Sequence, residues 1–309
     1  MVVLISVVPI FLVIILGVVG AMRGFFPPGF TEPANRLAYY LAVPALIFRS
    51  VAKSPLHEAF QPLPAAVAVV CLVLNLLLSA WLSRLLLGAS PETAPRRASF
   101  IQSTIHGNQA YLAFAVIFYA LGQTGMNTAV LIGTAVIIGQ NLLSVVCFTY
   151  WGRGGRGRGV SPVKAVLGNP IILVTVAGLI FSFSDLKLPE VVDRTLGILA
   201  GMGLPLALLI IGANLSQGRL GGSWRELGVM SLSKLLLLPG LGWLLLTLAG
   251  VGDLPATVTV IMLAAPLATV SPIMAEQLGG DPVLTSQATT LTHALSAASF
   301  SLWLLLLHH

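Results

Sequence analysis

Charge is what this chain has least of. Of 309 residues only 8% are charged, 16 basic and 10 acidic, where a soluble domain carries about a quarter. In water a surface so poor in charge would expose large apolar patches. With 57% apolar residues and a mean hydropathy of +0.97, lipid is the solvent that fits. Cysteine is equally scarce. Cys71 and Cys147 both lie inside apolar runs, which argues against a disulfide framework or a thiolate metal centre. Acidic residues sit in loops or near the ends of runs, so a sodium site built from carboxylates has no material, although one built from carbonyls and amides does. The groupings of hydrolytic chemistry are missing: there is no His-Glu-x-x-His, no Gly-x-Ser-x-Gly and no aspartate pair within an apolar run. Neither catalytic residues nor a metal or organic cofactor are expected. The net charge of +6 raises nucleic acid as a partner, but the basic residues fall between apolar runs, where membrane topology uses them.

Long apolar runs are what the chain does have. A spanning helix needs roughly 20 mostly apolar residues, and ten stretches qualify, at about 2–22, 33–53, 62–87, 97–121, 126–150, 164–184, 189–213, 223–249, 254–277 and 283–307. Turn signals such as Phe26-Pro27-Pro28-Gly29, Gly88-Ala89-Ser90-Pro91 and Gly250-Val251-Gly252-Asp253 separate them. The runs are too long and too little alternating for a barrel, so the expected fold is an all-α polytopic membrane protein of ten transmembrane helices. The first run lacks a basic leader and a small-residue cleavage site and reads as a retained helix. His308-His309 reads as the stub of a purification tag. Basic residues in the loops after odd-numbered stretches are Arg23, Arg36, Arg84, Arg96, Arg97, Arg153, Arg156, Arg158, Lys164, Arg219 and Arg225; those after even-numbered ones are only Arg49, Lys53, Lys187 and Arg194. That asymmetry predicts the first set of loops in the cytoplasm and both termini outside the cytoplasmic membrane.

The halves of the chain resemble each other. Val8-Pro9-Ile10 matches Asn169-Pro170-Ile171, and Gly17 matches Gly178 at the same offset. Glu32-Pro33-Ala34-Asn35-Arg36 matches Glu190-Val191-Val192-Asp193-Arg194, each followed by a mid-helix proline, Pro44 and Pro205. Asn75 before three leucines matches Lys234 before three leucines, and Leu121-Gly122 matches Leu278-Gly279. Five helices is an odd number, so the second copy must insert upside down, as in secondary transporters. The expected organisation is a first repeat over 1–152, a linker over 153–163 and a second repeat over 164–307. The linker, Trp151 followed by Gly-Arg-Gly-Gly-Arg-Gly-Arg-Gly, lacks the Lys-Ser/Thr ending of a phosphate loop and reads as a flexible, basic cytoplasmic connection.

Sites in inverted-repeat carriers lie near the midplane, where paired helices break, and broken backbone is tolerated in a membrane only around a cavity. The two most disrupted stretches are symmetry partners: Gln102 to Tyr111, containing His106, Gly107, Asn108 and Gln109, and Ala265 to Pro272, containing Pro266, Thr269 and Ser271. If both unwind and cross, two half-helix N-termini point at one spot, each with about half a positive charge, which suits an anion; the alternative is a pair of kinked structural helices. Gln140 and Asn141 lie at mid-depth in the fifth stretch and are expected to face the same cavity, Asn141 either as a substrate contact or as interhelical glue. His106 and His293 are proton shuttles or neutral packing residues. Lys234, about ten residues into the eighth stretch, is an intramembrane charge; it stands in for a bound cation, pairs with a substrate anion, or bridges to Glu276.

These residues carry a family resemblance. Gly107-Asn108-Gln109-Ala110, Gln140-Asn141, Gly168-Asn169-Pro170, Gly203-Leu204-Pro205 followed by Ile211-Gly212-Ala213-Asn214-Leu215, and Ala264-Ala265-Pro266 resemble the auxin efflux carrier superfamily over nearly the whole chain. The resemblance implies a 5+5 inverted repeat, crossed fourth and ninth helices, elevator-type alternating access, and organic anions held partly by asparagines at the crossover, here Asn108 and Asn141. It departs in having Gly107-Asn108 where relatives often have proline, and in the shortness of the central loop. The expected function is a secondary carrier of a small organic anion such as a carboxylate, with a proton or sodium as coupling ion and homodimer formation compatible with the layout. The alternatives are a sodium-coupled symporter of the bile-acid type, which shares the layout, and a channel or receptor that binds without transporting.

Overall fold

The structure is a computed structural model and describes residues 2–27, 29–53, 62–152, 170–184, 186–218, 221 and 223–307. The linker over 153–163 lies outside the described residues, as does the start of the second repeat. Every regular element described is helical. In chain order they are α1 (Val2–Met22), α2 (31–52), α3 (Pro62–Leu87), α4 (Ala94–Ile105), α5 (Gln109–Trp151), α6 (Pro170–Phe183), α7 (Glu190–Gln217), α8 (Trp224–Leu248), α9 (Asp253–Leu263), α10 (Ser271–Leu278) and α11 (Pro282–Leu307). Among the described residues six of these, α1, α3, α5, α7, α8 and α11, are long and apolar enough to cross a membrane.

Three departures from regular helix follow from the sequence. At about 1.5 Å per residue the 43 residues of α5 would run roughly 65 Å, twice a bilayer's apolar thickness. The run turns instead at Gly122, whose φ of 66° and ψ of −161° are open only to glycine. A Cβ there would meet nothing within 4 Å, so glycine is required by the backbone and not by space. The fourth and fifth stretches thus adjoin at Gly122 with no longer loop between them. The second departure is a pair of π-helical turns, Ala38–Ala42 in α2 and Ser233–Leu237 in α8. Each sits two residues before a proline, Pro44 and Pro239. Proline has no N–H to give to the carbonyl four residues back. The Leu235 carbonyl, which Pro239 leaves without that partner, instead accepts from Ser299 Oγ at 2.8 Å and Trp303 Nε1 at 2.9 Å on α11. The third departure is that the stretches read as 97–121 and 254–277 are each interrupted, at 106–108 and 264–270.

Glycine notches set the closest helix pairings. α1 packs along α7 so tightly that a Cβ on Gly17 would lie 2.5 Å from Leu209 O, and one on Gly212 2.0 Å from Ile14 O. α6 meets α2 through Gly178, where a Cβ would lie 2.9 Å from Val51 Cβ. In lipid, small residues of this kind let backbones approach where burial of apolar area gives no driving force. Ion pairs lie at the ends. Asp193, at the start of α7, accepts from Arg49 at 2.7 Å and Lys53 at 2.6 Å at the end of α2. Arg96 of α4 pairs with Glu226 of α8 at 2.7 Å and Asp281 before α11 at 3.5 Å.

Gly212→Val is expected to force α1 and α7 apart. Overpacking of that kind costs about 1–3 kcal/mol, and in detergent it should lower the melting temperature by at least about 3 °C. A melting curve indistinguishable from wild type would show that the two helices do not meet through these glycines.

Candidate functional site

The two interruptions meet. α4 ends at Ile105, and His106 (φ −89°, ψ 102°) and Asn108 (φ −81°, ψ 69°) leave the helical region before α5 begins. In the other break Ala264 to Val270 separate α9 from α10. The breaks run antiparallel through an isolated bridge between Gly107 and Leu267. Asn108 N donates to Pro266 O at 2.8 Å, and Ala268 N donates to His106 O at 3.1 Å. Side chains satisfy what the bridge leaves over. Gln140 of α5 holds Gly107 on both sides: its Oε1 accepts from Gly107 N at 2.9 Å, and its Nε2 donates to Gly107 O at 3.1 Å. Thr292 Oγ1 accepts from Leu267 N at 3.2 Å. Each of these bonds replaces one that an unbroken helix would have supplied, which apolar surroundings make obligatory.

The C-terminal carbonyls of the helices entering the breaks are capped alike. Asn75 Nδ2 of α3 donates to Thr104 O at 2.9 Å at the end of α4. Lys234 Nζ of α8 donates to Leu263 O at 3.4 Å at the end of α9. Between the two caps Ser233 Oγ donates to Asn75 Oδ1 at 3.0 Å. Such carbonyls are orphaned by the helix end and carry partial negative charge, so an amide and an ammonium both suit them.

A cavity of about 700 Å³ opens against the breaks. His106, Gly107, Asn108 and Gln109 line it from one break and Thr269 from the other, with Gln140 and Asn141 from α5. The first turns of α5 and α10 also face it, through Ala110, Tyr111, Val270 and Ile273. The leading amides there are already bonded, Gln109 N to Gly107 O and Ser271 N to Ala268 O, each at 3.0 Å, and the helix ends are electropositive.

Not every residue singled out in the sequence reaches this space. Pro266 contributes its carbonyl to the bridge but is buried behind it. Ser271 is buried and accepts from Gln102 Nε2 at 3.0 Å. Lys234 is fully buried and lies outside the lining, although a Cβ on Gly107 would come within 3.1 Å of its Nζ. Among the described residues no ion pair joins Lys234 to Glu276. Asn141 lines the cavity while its Nδ2 donates to Ile137 O at 2.7 Å, so half of its amide is already committed. His106 Nδ1 lies 2.8 Å from Gln102 Nε2 and 3.3 Å from Ser144 Oγ. Lining residues that sequence reasoning did not treat as site residues include Glu32, Asn35 and Arg36 of α2, Tyr111 of α5 and Asn214 of α7. Tyr111 donates its hydroxyl to Asn35 Oδ1 at 2.6 Å. Asn35-Arg36 had a signal, as part of a repeated segment, but it marked only the repeat.

Described residues that are helical throughout their regular elements, with six apolar helices of spanning length packed around a solute-sized cavity, fit a multi-pass membrane protein. The family model described as Membrane transport protein matches residues 2–304, and the chain belongs to that family; the resemblance to auxin efflux carriers holds over nearly the whole chain. The chain is 26% identical over 309 residues to a Rhizobium meliloti protein named "Putative malonate transporter", covering 95% of this chain and 92% of that one. It is 22% identical over 303 residues to an "Uncharacterized transporter" of Methanocaldococcus jannaschii, covering 95% of each. Another "Uncharacterized transporter", from Methanothermobacter thermautotrophicus, is 22% identical over 302 residues, covering 96% of each. Family and relatives describe transporters and not enzymes.

Gln140→Leu removes both bonds that Gln140 makes to Gly107. Gly107 O keeps Gln109 N, but leaving the buried Gly107 N–H unpaired costs about 1–3 kcal/mol, so the variant should melt at least about 2 °C lower than wild type. Gln140→Glu keeps the acceptor for Gly107 N and should lose less. Equal melting of the two variants would show that Gln140 is no clamp.

Proposed function

We propose that the chain is a secondary carrier of a small organic anion, seated where the two helix breaks meet. The observation that carries this reading is that both breaks, at positions matched between the sequence halves, join by main-chain bonds on the wall of one cavity, into which the first turns of α5 and α10 open. Two helix N-termini over one polar space favour negative charge. Lys234 supports the same sign. A fully buried ammonium that makes no ion pair among the described residues leaves the region electropositive. An anion in the cavity offsets that cost, which an isolated buried cation otherwise bears alone. The Rhizobium relative's name points to a dicarboxylate, and carboxylates are the cargo class we assign.

The chain is read as ten spans in two inverted five-helix repeats. Three pairings support this. Gly17 fits α1 to α7 as the matched Gly178 fits α6 to α2. Asn75 caps the end of α4 as the matched Lys234 caps the end of α9. The breaks themselves bond reciprocally. The ion pairs agree with the orientation drawn from basic loops: Arg49 and Lys53 meet Asp193 at what would be the outer face, and Arg96 meets Glu226 and Asp281 at what would be the cytoplasmic face. The cavity is lined at its rim by Glu32 and Arg36, on the cytoplasmic side in that orientation. Exchange of the two repeats' conformations, elevator fashion, would open the other side. Asn108 contacts the anion, as does Asn141 through the second hydrogen of its Nδ2; Gln109, Gln140, Pro266, Ser271 and His106 shape the break.

Proteoliposomes preloaded with malonate should take up labelled malonate faster than empty ones. Such trans-stimulated exchange is expected of a carrier and absent from a channel or receptor. Asn108→Ala should weaken anion affinity by at least about tenfold, the worth of a hydrogen bond to a charged group, with the far-UV spectrum unchanged. Affinity equal to wild type in that variant would remove the assigned site.

A further inference from the structure

We propose that His293 couples a proton to the anion by setting which end of the Asn108 amide faces the cavity. The inference rests on the anion reading above and supplies its coupling ion. His293 lies on α11 and is 1% exposed. Its Nδ1 is 2.8 Å from Thr289 O. A carbonyl oxygen only accepts, so Nδ1 carries the hydrogen, and in the neutral ring Nε2 is left as an acceptor. Nε2 is 3.2 Å from Asn108 Nδ2, which therefore donates to it. Asn108 is itself buried except where it lines the cavity. With its nitrogen bound to the ring, the acceptor oxygen of the amide is the end left for the cavity, and a carbonyl oxygen repels a carboxylate.

Protonation reverses this. When Nε2 takes a proton from a hydronium ion in the cavity, both ring nitrogens become donors and Asn108 Nδ2 loses its acceptor. Turning the amide by half a revolution about its last side-chain bond keeps its shape and is an ordinary excursion for that torsion. Oδ1 then accepts from Nε2–H, and both Nδ2 hydrogens point to the cavity with an imidazolium behind them. The N–H forms as one O–H bond of the hydronium ion breaks and leaves a neutral water, and no other covalent bond changes. Anion and proton thus bind cooperatively, and by linkage each raises the affinity for the other to the same degree.

The surroundings favour coupling over simple protonation. α11 packs against α1, α4, α8, α9 and α10. α1 brings no titratable side chain, α9 only the exposed Asp253, and α10 only the exposed Glu276. α8 brings Lys234 in the polar core, with Arg225 and Glu226 at its start; α4 brings Arg96 and Arg97 at its start and leads into His106 at the break. Across the cavity Glu32 and Arg36 of α2 line the rim, one of each sign, and among the described residues no carboxylate pairs with His293. The anion itself is the group that stabilises it, so the proton is held firmly only when the cavity is filled.

The test is calorimetric titration of the full chain in detergent with malonate, in two buffers of different ionisation enthalpy. Wild type should take up protons as the anion binds, with Kd tightening by up to about tenfold for each unit that pH falls. His293→Gln, which retains a partner for Asn108 but does not titrate, should bind with no proton uptake and a flat pH profile; His293→Asn serves where that variant does not fold. Binding to wild type without proton uptake, or uptake that persists in the His293 variants, overturns the proposal. If malonate and other mono- and dicarboxylates fail to bind, or Asn108→Ala binds as tightly as wild type, the anion site falls and the coupling with it. A pH-independent Kd that Asn108→Ala still weakens removes the proton alone.

Discussion

Everything at the centre of this protein follows from one constraint: a peptide group in apolar surroundings must be hydrogen-bonded, and a broken helix unpairs several at once. The chain breaks two helices at the same depth and repairs both with the same few bonds. The breaks pair with each other through Asn108 to Pro266 and Ala268 to His106. Gln140 replaces the missing turn at Gly107, Thr292 serves Leu267, and Asn75 and Lys234 cap the carbonyl ends. Even the first amides of α5 and α10 are turned back onto the breaks, Gln109 N donating to Gly107 O and Ser271 N to Ala268 O. What the breaks do not use for themselves is left on the cavity wall, where Asn108, Gln109 and Asn141 present side-chain amides.

Much of this was legible in the sequence because it is written in residue types that apolar helices otherwise avoid. The spans, the paired disruptions at Gly107-Asn108 and Pro266, and the oddity of Lys234 follow from composition and offset alone. What stayed hidden was which polar group would be consumed and which would be free. Gln140 and Asn141 are adjacent in sequence, yet one clamps Gly107 while the other bonds its own helix and lines the cavity. Adjacent helical positions point about 100° apart, and single-sequence reading cannot say which points to the break. Asn35 and Arg36 were hidden for another reason. They lie at the start of α2, near a run boundary, where charge reads as topology. Only the packing of α2 against the cavity makes them lining residues. The limits of α5 were obscured because Gly122 turns the chain with one residue, where a longer loop was expected.

The near-symmetry of the caps makes its failure informative. Asn75 and Lys234 occupy matched positions and reach matched carbonyls, but one is neutral and the other positively charged. An asparagine would satisfy Leu263 O as well as Asn75 satisfies Thr104 O, without the cost of burying an ammonium. The lysine is therefore not explained by the helix end it caps. Its Nζ lies just behind Gly107, the residue where a side chain would collide with it and with Gln109, so the charge acts on the cavity through a position that has no side chain to screen it. The glycine and the lysine belong together: the first thins the wall, and the second charges it.

That arrangement also bears on what drives transport. Lys234 Nζ already bonds one of the helix-end carbonyls that a mobile cation would bridge, and the carboxylate that lines the cavity, Glu32, lies at its rim beside Arg36. A proton needs only one acceptor, and the Thr289 carbonyl fixes the His293 tautomer so that one lone pair is left, turned toward Asn108. A net positive site that accepts a proton only as an anion arrives would carry its cargo with the charge partly neutralised, which lowers the cost of moving it through a low-dielectric interior. In such a carrier the buried lysine sets the sign of the cargo, and the histidine one hydrogen bond from the asparagine sets the condition under which it is held.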